Sequence, residues 1–118
     1  RVAIAEDIYE EIGAPVNIQF LINDNGVCIG GGLPVDDLSF PVRRQGKKAI
    51  VYSYGLVNKL TDDFHLDFSG RTSISFQEIE YIVVDGVKAV YVSIKPEPQE
   101  ALVSVEVVMA DEEDGQSA

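Results

Sequence analysis

Apolar and polar positions change period twice within the first 29 residues. Val2 and Ile4 alternate with Arg1 and Ala3, as in a half-buried strand. Ile4, Ile8 and Ile12 are then four apart, with Tyr9 beside Ile8, which places them on one side of a short helix. Glu6 and Asp7 fall in its first turn, where carboxylates meet the positive end of the helix dipole. Gly13 suits the left-handed stop, and Pro15 does not continue a helix. Ile18, Phe20 and Ile22 alternate into Asn23-Asp24-Asn25-Gly26, and Val27 and Ile29 alternate out, which predicts a β-hairpin.

A related pattern returns about 48 residues later. Ile50, Tyr52, Leu56 and Leu60 repeat the spacing of Val2, Ile4, Ile8 and Ile12. Phe64, Leu66 and Phe68 then alternate into Ser69-Gly70-Arg71, and Thr72, Ile74 and Phe76 alternate out. The second stretch is thus expected to run strand, helix, hairpin, with Gly55 weakening its helix by about 1 kcal/mol relative to alanine. Between the two copies, Gly30 to Pro34 forms a connection, and Leu38, Phe40 and Val42 predict a strand that Pro41 confines to an edge or bulge. Beyond them, Asp85-Gly86 between Tyr81–Val84 and Val87–Ile94 predicts another hairpin, and Ala101–Met109 a final strand.

The motif Arg1-Val2, Ile4, Ile8, Ile12-Gly13, followed by a strand and the Asp24 to Gly26 turn, resembles the AbrB/MazE/SpoVT swapped-hairpin family of small DNA-binding regulators. The resemblance implies a mostly β (α+β) fold with two short helices. Its core is a swapped-hairpin barrel, here built from tandem halves over residues 1–32 and 42–76. An extra C-terminal hairpin and strand over 79–109 complete a single domain, 1–109. It also implies a regulator-like binding protein with DNA as ligand, and a homodimer or higher oligomer. The chain departs from the family at Ala5, where proline is usual. It departs again at Tyr9-Glu10 and Val57-Asn58, where the family carries a basic pair on the helix.

Composition complicates a DNA role. Twenty acids against nine bases give a formal charge of −11, which repels a phosphate backbone. Residues 110–118, with Asp111, Glu112, Glu113 and Asp114, read as a disordered acidic tail. DNA contact therefore has to come from a local patch. Arg43, Arg44, Lys47 and Lys48 hold four of the nine bases within six positions, and Arg1 matches the family's arginine. These five are the candidate nucleic-acid-binding residues. A solvated basic turn also explains the four, and the alternative is then an acidic, antitoxin-like module for protein binding or oligomerisation that does not bind DNA.

Other chemistry is weakly signalled. His65, the sole histidine, lies near Asp67 and several serines, but no nucleophile elbow or oxyanion loop is visible, and a solvent-facing strand position explains it. Cys28 within a strand reads as a buried thiol of a cytoplasmic protein. Asp24-Asn25, Asp36-Asp37 and Asp62-Asp63 sit where turns and caps favour such residues, and none has the run of a calcium loop. No enzyme, metal or other cofactor is expected. No apolar run approaches the ~18–20 residues that span a bilayer, so no membrane partner is expected either.

Overall fold

The structure, a computed structural model, describes residues 1–35, 38–94 and 105–108. Ten strands and two helices follow in the order β1 (Val2–Ala5), α1 (Glu6–Glu11), β2 (Asn17–Ile22), β3 (Gly26–Gly30), β4 (Ser39–Pro41), β5 (Arg43–Gln45), β6 (Lys48–Val51), α2 (Tyr54–Phe64), β7 (Ser73–Phe76), β8 (Ile79–Val84), β9 (Val87–Ser93) and β10 (Val105–Val108). They form two antiparallel five-stranded sheets, β5-β6-β1-β10-β7 and β4-β2-β3-β9-β8. The chain is thus mostly β with two short helices. Neither strand order closes on itself among the described residues.

One core unites the sheets, and the period-two pattern builds it. In the first sheet, cross-strand register aligns Arg44, Ala49, Ile4, Val105 and Phe76 in one row and Val51, Val2, Val107 and Ile74 in another. Apart from Arg44 at the margin, these side chains are buried against Ile18, Phe20, Val27, Ile29, Val90 and Val92 of the second sheet. Ile8 and Tyr9 of α1, Ile12 at its C-cap, and Leu56, Val57 and Leu60 of α2 complete the cluster. Full burial of each large aliphatic side chain is worth about 1.5–3 kcal/mol. The helices, too short to persist alone, are held by these contacts.

The hairpins expected from turn chemistry form. Asn23 Oδ1 accepts the Asn25 and Gly26 amides at 2.8 Å, closing the β2–β3 turn. Gly26 is required by close approach, because a Cβ there would lie 2.2 Å from the Val92 carbonyl oxygen. Asp85 and Gly86 both take positive φ and join β8 to β9. Gly13 follows α1 at φ 97°, as its sequence position predicts. Pro41 lies on β4, an edge strand, as proline requires.

The second copy diverges after its strand and helix. β6 and β1 pair antiparallel and each leads into a helix, with Ile8 and Leu56 both buried. The hairpin expected from Phe64 to Phe76 does not form. Ser53 caps α2 by accepting the Leu56 amide at 3.0 Å, and the helix runs on to Phe64. His65 is therefore not on a strand: it is the left-handed C-cap, φ 53°. Leu66 and Phe68 fall in the following loop, and β7 pairs instead with β10. The final strand is described only over Val105–Val108, between β1 and β7. The remainder of that strand, the Asp36-Asp37 pair and the acidic tail lie outside the described residues.

Candidate interaction surface

The basic cluster is a hairpin, and its strand geometry decides where each cation goes. Gly46 and Lys47 make the turn, so Arg43 and Arg44 belong to β5 and Lys48 to β6. Successive strand side chains take opposite faces, so Arg43 and Arg44 diverge. Arg44 ends the core-side row opposite Ala49 and Ile4, next to α1. Its guanidinium hydrogen-bonds to Glu10, lies 3.5 Å from Glu6 Oε2 and stacks 5.1 Å from the centre of the Tyr9 ring. The hydrogen bond to Glu10 raises the Arg44 pKa further above its ordinary value. Tyr9 is in turn fixed by burial and by donating its hydroxyl to the Pro15 carbonyl.

Arg43 shares the other face with Ile50, Ala3, Glu106 and Ser75, and its guanidinium lies 5.7 Å from the centre of the Tyr52 ring. On that face Lys48 Nζ approaches Glu106 Oε1 at 3.6 Å, while Ser75 donates to Glu106 Oε2 at 3.4 Å. Lys47, at the tip, has its carbonyl bonded by the Glu6 amide at 3.0 Å. Lys47 and Lys48 line a pocket with Ala5, Glu6 and Asp7, so two carboxylates share that opening with the two lysines. Arg1 immediately precedes β1, at the end away from the Ala5–Lys48 pair, roughly 13 Å along the chain.

The five expected site residues are thus divided. Lys47 and Lys48 adjoin the start of α1, Arg44 lies over its acidic face, Arg43 is on the opposite sheet face, and Arg1 is at the far end of β1. What the sequence reading missed is the set of partners. Glu6 and Glu10 are spaced i, i+4 on α1, a visible signal for one acidic helix face, but their link to Arg44 spans 34–38 residues.

Cys28 is buried, and burial raises its thiol pKa. His65 is exposed at the end of α2. Asp67, in the loop that follows, accepts the Ser69 amide at 2.9 Å, which lowers its carboxyl pKa. No helix among the described residues is long and apolar enough to cross a membrane. Comparison with protein-family models, curated proteins and solved structures gives no match to the chain.

Proposed function

We propose that the protein is a non-enzymatic binding module whose partner is another protein, an acidic, antitoxin-like component that does not depend on DNA. The observation that carries this reading is the engagement of Arg44 by Glu6 and Glu10. A phosphate approaching Arg44 meets two carboxylates first, and one approaching Lys48 meets Glu106. The formal charge of −11 adds long-range repulsion. Cations divided between two sheet faces also do not track one backbone.

A second reading is supported by the order β1-α1-β2-β3, the arrangement on which the AbrB-like resemblance rests. In that reading a swapped-hairpin barrel, completed by tandem halves or by a second copy, presents Arg1, Arg43, Arg44, Lys47 and Lys48 to duplex DNA as a cytoplasmic transcription regulator. It demands that Arg44 leave Glu6 and Glu10.

A gel-shift series from low to physiological salt, beside sedimentation of the same samples, separates the two. The protein-binding module gives no duplex shift at any salt. Its self-association or partner capture survives replacement of Arg43, Arg44, Lys47 and Lys48 by glutamine. The regulator gives a shift that those substitutions abolish, and that result overturns the proposal.

A further inference from the structure

The four sheet edges are unequally protected. β5 is three residues long and carries two arginines. β4 is also three residues, and its pairing pattern turns Pro41 outward: Phe20 bonds the Leu38 carbonyl and Val42 bonds the Val16 carbonyl, so residues 39 and 41 face the free side. A proline there offers no N–H to an incoming strand. β7 has four residues, two of them serine. β8 has six, Ile79-Glu80-Tyr81-Ile82-Val83-Val84, with no proline and one charge.

The β8 backbone is set for addition. The Ser93 amide bonds the Glu78 carbonyl, and antiparallel alternation then assigns residues 80, 82 and 84 to bonding with β9. Ile79, Tyr81 and Val83 consequently direct their N–H and C=O groups off the free edge, which no described strand covers. The same positions carry exposed apolar side chains, Tyr81 at 45% and Val83 at 68%. Tyr81 and Val83, with Ile82, Lys88 and Ala89, face Glu11 of α1 across a shallow pocket. Partial burial, then the carboxylates of Glu11 and Asp7, raise the Tyr81 hydroxyl pKa. Glu80 adds a further exposed carboxylate, and Lys88 is the one cation in that pocket lining.

We propose that the free edge of β8 is a strand-addition site for an extended peptide alternating apolar and basic side chains. Backbone bonds to Ile79, Tyr81 and Val83 supply the affinity, and the apolar side chains pack on Tyr81 and Val83. The basic ones take the other face of the added strand, where they answer Glu80, while Asp7 and Glu11 flank the apolar face. A second copy is the poorer occupant, because β8 against β8 sets these carboxylates against their own duplicates. The proposal rests on the protein-binding reading and gives that reading a partner class.

The test uses a synthetic nonapeptide alternating valine and lysine, its valine–glutamate counterpart, and a valine–lysine peptide N-methylated along one edge. Amide hydrogen exchange is followed by NMR, with binding measured by anisotropy at physiological salt. Free protein should exchange the Tyr81 and Val83 amides rapidly. The basic peptide should slow both at least tenfold, and neither control peptide should. Val83→Pro removes an outward N–H without touching the β9 ladder, and should weaken binding at least tenfold with an unchanged circular dichroism spectrum. Val83→Lys, which replaces the apolar contact by a charge beneath the peptide's valines, should do the same if the proline variant misfolds. Amides already protected in free protein, equal binding of the N-methylated peptide, or full affinity in both variants would overturn the site. An unresponsive β8 with no duplex DNA shift removes this site alone, whereas a salt-sensitive duplex shift removes the protein-binding reading itself.

Discussion

Replacing Phe20 by alanine probes the core shared by both sheets. Phe20 lies on β2, is 1% exposed, and packs edge-to-face on Phe40 of β4 with ring centres 5.8 Å apart. Truncating a buried phenylalanine costs about 3–5 kcal/mol, from lost transfer energy and the cavity left behind. Against a typical stability of roughly 5–15 kcal/mol that is a large share. At roughly 3–6 °C per kcal/mol for a chain of this size, the midpoint should fall by about 10–30 °C. Phe40 is half-buried, so Phe40→Ala should cost less. The double-mutant cycle should return a coupling of about 0.5–1.5 kcal/mol, the usual range for an aromatic pair. Urea unfolding of the four proteins, followed by circular dichroism, reads all these terms. A Phe20→Ala cost under about 1 kcal/mol, or no coupling to Phe40, would refute the packing of β2 and β4 around this core.

Three further outcomes follow from local contacts. Asp67 has its carboxyl pKa lowered by the Ser69 amide, so its contribution is present above the unfolded-state pKa and is lost as pH falls through the folded value. Asp67→Asn should therefore match the parent in acid and melt lower near neutrality, with thermal melts across pH as the check. Gly26→Ala forces a Cβ to 2.2 Å from the Val92 oxygen and should cost about 1–3 kcal/mol in urea; an unchanged midpoint would contradict the close approach of β3 to β9. Arg44→Ala should lower the melting temperature more in low salt than in 1 M salt, because screening weakens its pairs with Glu6 and Glu10.

Features fixed by neighbouring residues were legible in the sequence. Asn23 to Gly26 and Asp85-Gly86 closed the hairpins they signalled, and Val2-Ile4 leading into Ile8 and Ile12 became β1 and α1. The misreading at Phe64–Phe68 came from two periods sharing one residue. Phe64 continues the Leu56, Leu60 stripe at i+4, and it also begins the Phe64, Leu66, Phe68 alternation. The Ser53 cap and helical packing prevail. Ile74 and Phe76 did belong to a strand, but their partners are Val107 and Val105, some thirty residues on, a pairing no local pattern encodes. The basic cluster was visible for the same local reason, while its neutralising acids were not, because sheet pairing brings β5 beside α1 from more than thirty residues away.

The most direct test of the protein-binding account is an amide-resolved NMR titration with a short DNA duplex at low ionic strength. With Arg44 held by Glu6 and Glu10, and Lys48 by Glu106, the resonances of residues 43–48 and of α1 should stay in place through a large excess of duplex. Shifts confined to that hairpin and to Arg1, reversed by salt with a log–log slope of about −0.9 per phosphate contact, would contradict the account and establish the DNA reading in its place.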